Sequence, residues 1–305
     1  MENGAKRIDA ATRFTQSAVA LSLKLHRIGM RQSLEDDEFE ASGASKEMVS
    51  ASKRLFADCE ELDAIRSHMS KTKKWVEARS LPSGFRGGIW FVKTTAVEEL
   101  DTYLDERAKE MDPLVQAFVD VLDQRISEAK AKLGKLGDNA KWPTAKKVRA
   151  RFAINWQWMV FETPESLKGL SKSLYKRERE KAAGAIAEAR ESAISLLREE
   201  VKNLVDHMVE RLTPGDDGKA KTFKAGTVEG LSEFLKNFDI RNLAEDGELE
   251  AVVKKASRLL DGVDANLIRS EEGVRNAVAK GFGDLQSKID ALVVERPKRQ
   301  IDFEE

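Results

Sequence analysis

Cysteine is all but missing from this chain of 305 residues, in which only Cys59 occurs. That excludes an intramolecular disulfide, a Cys-x-x-Cys pair and a cysteine-based zinc site, and it fits a reducing compartment. Prolines number six and aromatics make up 7%, too few for the strands and turns of a sandwich or barrel. Neither sign of charge is in excess: 52 Lys and Arg face 53 Asp and Glu, so no global field draws the chain to nucleic acid or an anionic membrane. Long hydrophobic runs are lacking too. The most apolar stretch, Ser17 to Leu25, is too short to span a bilayer, and the charged start, Met1 to Asp9, is not followed by the apolar core and small-residue site of a signal peptide. The expectation is a cytoplasmic protein without a membrane partner.

What is present is 41% hydrophobic and 34% charged residues, enough apolar surface for a core and enough charge to solvate long helices. From Ser17 to Ile28, Val19, Leu21, Leu23 and Leu25 alternate with smaller and polar residues, which predicts a half-buried strand, with a helix as the alternative. The acidic run Glu35 to Glu38 and Gly43 mark a linker. Lys46 to Arg79 then carries Val49, Leu55, Leu62, Ile65 and Met69 at helical spacing. Leu81 to Gly88 is a glycine-rich break, and Ile89 to Val92 reads as a short strand. A helical run from Val97 to Leu133 is expected to restart or bend at Pro113, which removes a helical hydrogen bond; Gly134, Gly137 and Pro143 end it.

Val148 to Phe161 alternates again, with Phe152, Ile154, Trp156, Trp158 and Val160 on one face, and predicts a strand. Thr163 as N-cap and Pro164 as first helical residue open a helix that nothing interrupts until Pro214. At about fifty residues it would be roughly 75 Å long, with a charged, alanine-rich waist from Lys176 to Arg190. After the Pro214 to Gly218 turn, helices are expected over about Thr227 to Asn237, Gly247 to Leu260 and Asp264 to Val294, returning antiparallel along the long helix. The fold class is therefore mostly α (α+β): long antiparallel helices with a small antiparallel sheet at one end. The divisions are an N-terminal α+β region over 1–162, a long-helix bundle over 163–294 and a flexible tail over 295–305.

Chemistry-bearing motifs are few. The chain contains no GxxxxGK[ST] loop, no GxGxxG after a strand, no HExxH and no GxSxG. His26, His68 and His207 are dispersed, with no ligand-spaced partner. The acid pairs Asp36-Asp37 and Asp216-Asp217 lack the EF-hand pattern and read as solvated linker acids. Asp58 and Glu60 beside Cys59 disfavour a thiolate, so Cys59 reads as a buried structural thiol. No catalytic residue, cofactor or metal is expected. Two basic stretches stand beside tryptophans: Lys71, Lys73 and Lys74 before Trp75, and Lys146, Lys147, Arg149 and Arg151 before Trp156 and Trp158. Cations interleaved with aromatics hold phosphates and stack bases; the plainer reading is solvated helix faces over an aromatic core. The tail segment Ile301, Asp302 and Phe303, an apolar pair among acids after a basic spacer, is a candidate docking peptide or a solvated tail.

In its layout the chain resembles an uncharacterised family of bacterial and phage proteins encoded near MoxR-type AAA+ ATPases and von Willebrand A proteins. The residues that carry the resemblance are Leu21 to Met30, Lys53-Arg-Leu-Phe56, the Gly84 to Trp90 turn and Arg149 to Phe161 ahead of the long helix. The family has no agreed catalytic residues. The resemblance implies a non-enzymatic adaptor or scaffold accessory to an AAA+ ATPase, of bacterial or phage origin. The alternatives are a nucleic-acid-binding protein and a self-assembling homo-oligomeric structural protein.

Overall fold

A computed structural model describes residues 14–35, 50–83, 87–160, 166–214, 221 and 225–293. The fold is mostly α with a small antiparallel sheet, as the sequence predicts. The strands are β1 (Ala18–His26), β2 (Arg31–Ser33), β3 (Ser52–Arg54), β4 (Leu81–Pro82), β5 (Ile89–Lys93) and β6 (Ala153–Met159). Four of them form one sheet in the order β4-β5-β1-β6, and β2 pairs with β3. The helices are α1 (Glu60–Glu77), α2 (Val97–Asp120), α3 (Leu122–Leu133), α4 (Lys135–Asp138), α5 (Ala145–Arg151), α6 (Ser166–Leu170), α7 (Lys172–Leu212), α8 (Ala225–Arg241), α9 (Gly247–Leu259), α10 (Ala265–Ser270) and α11 (Glu272–Leu292).

The chain divides into two units built from interleaved segments, Met1–Leu21, Glu77–Val97 and Trp158–Glu305 in the first and Ser22–Val76 and Glu98–Gln157 in the second. Residues 77–97 thus group with the C-terminal helices, which a boundary drawn at one point of the sequence does not express.

In the second unit α1 runs antiparallel to α2. The Trp75 ring stacks on Tyr103 with centroids 3.7 Å apart, and further along Arg107 Nε donates to Thr72 Oγ1 at 3.2 Å. Phe56 meets Phe118 and Trp142 edge-on, geometries in which the positive ring edge faces a negative π-face. Of the helix predicted over Lys46 to Arg79, residues 46–49 lie outside the described residues, 50–59 are not helical, and α1 begins at Glu60. Residues 52–54 instead pair with β2 in the register Arg31↔Arg54, and Asp58 takes φ 54°, a left-handed conformation that stops a helix from propagating back. Leu55, read as helical from its spacing, is buried without being helical, as is its neighbour Phe56. Pro113 neither restarts nor ends α2; Met111, Val115 and Phe118 are buried around it, and that packing holds the segment helical. The break falls at Val121, with φ −104° and ψ 2°. Gly134, with φ 55° and ψ −133°, separates α3 from α4 in a conformation that a side chain would strain.

The predicted strand from Val148 starts five residues later. Thr144 caps α5 by accepting from the Lys147 amide, so 148–151 are helical and β6 begins at Ala153. From there the predicted alternation holds in part: Phe152 and Ile154 are buried, Trp156 and Trp158 half-buried, and Asn155 and Gln157 exposed, but Val160, predicted on the inner face, lies past the end of β6 and is exposed.

The first unit is built on α7, 41 residues or about 60 Å long. It is shorter than predicted because Ser171, with φ −160° and ψ 119°, turns its side chain to accept from the Leu174 amide and starts a new helix. A serine that caps its own downstream turn competes with continuation of the helix before it. Thr163 and Pro164 lie outside the described residues. Along the C-terminal part of α7, α11 returns antiparallel: Arg198 Nη1 donates to the Leu292 carbonyl, Lys202 pairs with Asp290, Gln286 donates to Asp206, and Arg275 donates to the Arg211 carbonyl. Leu197, Val201, Val205, Met208 and Leu212 are buried in one cluster with Val278, Phe282, Leu285 and Ile289. The helix predicted from Asp264 is interrupted at Glu271, whose φ −114° and ψ 100° are extended.

Arg198 braces this bundle. Its guanidinium grips Asp246 at 2.6 and 3.1 Å. The Asp246 side chain, 6% exposed, also caps α9 by accepting from the Leu249 amide at 3.2 Å. Burial pushes the Asp246 carboxyl up, but Arg198 and the Leu249 amide outweigh it and the net direction is down.

Candidate partner-docking site

The seven basic residues singled out from the sequence all fall in the second unit, Arg151 exposed at the end of α5. Lys71, Lys73 and Lys74 are exposed on α1, and Lys146 and Lys147 are exposed at the start of α5. Arg149 Nε donates to Gln116 Oε1. The aromatics beside them are engaged within the protein: Trp75 stacks on Tyr103, and Trp156 Nε1 donates to Asp101 Oδ1 at 2.7 Å. The two tryptophans thus meet α2 within two residues of each other, at Tyr103 and Asp101, whereas Arg149 meets it at Gln116, thirteen residues or about 20 Å from Tyr103, and so stands apart from them. Between Tyr103 and Gln116 α2 carries four acids, Asp105, Glu106, Glu110 and Asp112, against Arg107 and Lys109, a charge balance that repels phosphate. Ile301, Asp302 and Phe303 lie outside the described residues, as do Asp36, Asp37, Asp216 and Asp217.

The remaining candidates sit where no chemistry converges. Cys59 is buried, and its Sγ lies 3.4 Å from Glu61 Oε2. Burial first, and then the Glu61 carboxylate, push the thiol up. The acid that disfavours the thiolate is therefore Glu61 rather than Asp58 or Glu60. Glu61 itself is gripped by Arg125 Nε and Nη2 at 3.1 and 2.9 Å, which lowers its carboxyl to about 2. His68 is buried with Nε2 2.8 Å from the Arg107 carbonyl; His26 and His207 are exposed. Among the described residues no three His, Cys, Asp or Glu side chains come together as a metal site, and no helix is long and apolar enough to cross a membrane.

One concave feature of the first unit combines apolar and charged groups. An open groove of roughly 480 Å³ runs between the β4 edge and α7. Leu81, Pro82 and Trp90 form the sheet wall, and Leu196, Glu199 and Asn203 the helix wall, with Glu77 at one margin. Positions 196, 199 and 203 share one face of α7 because three or four residues bring a helix round one turn. At the floor Arg241, 6% exposed, donates from Nη1 and Nη2 to the two oxygens of Glu200 at 2.8 and 2.6 Å and from Nε to the Ser80 carbonyl at 3.3 Å. The guanidinium also lies 5.2 Å from the Phe234 ring centroid, an attraction between cation and π-face. Arg241 thereby ties α8, α7 and the strand start into one frame. Sequence reading missed this groove, since its residues come from 77–90, 196–203 and 241. Only the Leu196-to-Asn203 face of α7 carried a local signal: an apolar residue and an acid on a face that the core does not need.

No protein-family model, no curated protein and no solved structure matches the chain.

Proposed function

We propose that this chain is a non-enzymatic helical adaptor or scaffold, of bacterial or phage origin, that works in the cytoplasm beside a MoxR-type AAA+ ATPase. The observation that carries the reading is the uneven burial of α7. Its C-terminal half is clamped by α11, whereas from Lys172 to Ala182 every position is exposed or half-buried. A helical stretch of that length is marginal in water by itself, and it persists as the extension of a helix anchored elsewhere. Seven of its eleven residues are charged, with both signs present. Leu170, 80% exposed, stands just before it, and Lys168 lies over the Tyr175 ring. A solvated arm with a few apolar anchors projecting from a braced bundle is what an adaptor offers a partner, because a handful of buried anchors supplies most of the energy of an interface.

Size-exclusion chromatography with light scattering, with and without a MoxR-type ATPase from the same genome, tests the reading. A stable complex is expected, lost on Leu170→Asp combined with Tyr175→Ala. Deleting Arg299 to Glu305 tests whether the tail adds to it. A DNA complex that dissolves in salt, or a concentration-dependent oligomer without the ATPase, would replace the adaptor reading with nucleic-acid binding or self-assembly respectively.

A further inference from the structure

The groove between β4 and α7 has a charge and a shape that select what enters it. Glu77, Glu199 and Glu200 line it against the single cation Arg241. The Arg241 donors are committed to Glu200 and to the Ser80 carbonyl, so an incoming anion meets no uncommitted cation among these residues, while an incoming cation meets the Glu199 carboxylate. Leu196, one of three large hydrophobic residues exposed among the described ones, faces Leu81, Pro82 and Trp90 across the groove. Leu81 and Trp90 are already buried, 2% and 8% exposed, and back that wall, so an apolar side chain laid in the groove would remove water from Leu196 and from the exposed Pro82.

Main-chain addition to the sheet is disfavoured here. The edge strand β4 is two residues long, and Pro82 has no amide to offer. Recognition must run through side chains, and the stretch of α7 from Leu196 to Asn203, about 10 Å along the helix axis, matches three or four residues of an extended chain. The Arg241 brace holds both walls before anything binds, which lowers the cost of ordering them.

We propose that this groove captures a short extended segment of a partner protein in which lysine or arginine alternates with aliphatic or aromatic side chains. The inference rests on the adaptor reading only in taking the occupant to be another protein. The cation pairs with Glu199 at the rim, and the apolar side chain fills the space between Leu196 and Pro82.

The test is fluorescence anisotropy with three labelled hexapeptides, KLRFKL, ELDFEL and KSRSKS, added to the full-length chain. KLRFKL should bind at least tenfold more tightly than either of the others. Glu199→Lys and Leu196→Ser, both on the exposed face of α7, should each weaken KLRFKL at least fivefold with an unchanged far-UV spectrum and melting temperature. Leu170→Asp with Tyr175→Ala should leave peptide binding as it is, so failure of the ATPase contact and failure of the groove are read separately. Equal binding of KLRFKL and ELDFEL, or full binding by Glu199→Lys, overturns the proposal. So does a tenfold gain in affinity on deleting residues 294–305, which would make the chain's own tail the occupant.

Discussion

Gly281 sits on α11 where α9 comes closest, and replacing it with alanine is a direct probe of that approach. A Cβ at this position would stand 2.5 Å from Leu259 Cδ2, 2.7 Å from Cδ1 and 3.2 Å from Cγ. Carbon atoms do not rest below about 3.5 Å without repulsion. The two methyl groups can swing away, but displacing Cγ turns χ1 of Leu259 off its staggered well or pushes the helices apart. Overpacking of this kind costs about 1–3 kcal/mol, whereas alanine in place of glycine inside a helix contributes about 1 kcal/mol of stability. Gly281→Ala is therefore expected to lower stability by up to about 2 kcal/mol. Leu259→Ala, which shortens a partly buried side chain, should cost about 1–3 kcal/mol by itself. In the double variant the new methyl has room, so the two changes should couple by about 1–3 kcal/mol. Urea denaturation of the four proteins, followed by far-UV circular dichroism and repeated by calorimetry, measures the cycle. A Gly281→Ala protein stabilised by about 1 kcal/mol, with no coupling to position 259, would refute the close approach of α9 and α11.

Three further outcomes are expected. Arg125 holds the Glu61 carboxyl at about 2, below its ordinary 4.5, so the stability this pair contributes is full above pH 4.5 and is lost as pH falls toward 2. Denaturation at pH 7, 4 and 2.5 should show that difference between the protein and Glu61→Gln, and parallel profiles would remove the pair as its cause. Arg198→Met leaves the Asp246 carboxylate, 6% exposed, without its guanidinium, and should cost about 3–5 kcal/mol in thermal or urea unfolding; a change below about 1 kcal/mol would mean that the brace is not formed. Lys288 crowds Lys255 and holds its ammonium below the usual lysine range, a strain present at neutral pH and relieved as pH rises through the lowered value. Lys288→Glu should accordingly raise the melting temperature at pH 7, with a gain that shrinks in high salt, and an unchanged or lower melting temperature would count against the clash.

The strands that alternate over several residues were legible, and so were the helices of the bundle, because a period of two or of 3.6 is written in local order. Phe152 and Ile154 are buried as their alternation requires, as are Leu21 and Leu23, although Ala18 and Ala20 on the opposite face of β1 are buried too; α11 returns along α7, but which of the helices after Pro214 would do so was not written in local order. Boundaries were less legible. Val148 fits an alternating pattern and a helical turn equally well, and the Thr144 cap decides for the helix. Leu55 has helical spacing to Leu62, but pairing of residues 52–54 with β2 and the left-handed Asp58 decide against it. Ser171 reads as one more residue of a long helix until its hydroxyl is seen to accept from the Leu174 amide.

What the sequence determined by itself is the class of the molecule. A single cysteine, balanced charge, few aromatics and long amphipathic periods leave a helical chain with a small sheet and no recognisable catalytic motif, since composition and period act over neighbouring residues. What only the tertiary structure decided is which distant residues meet. Arg241 finds Glu200 across 41 positions and Ser80 across 161, and the groove above them, like the contact of Gly281 with Leu259, exists only once the chain is packed. Such pairings carry no local signal because the choice among many charged and apolar partners is made by the geometry of the whole core.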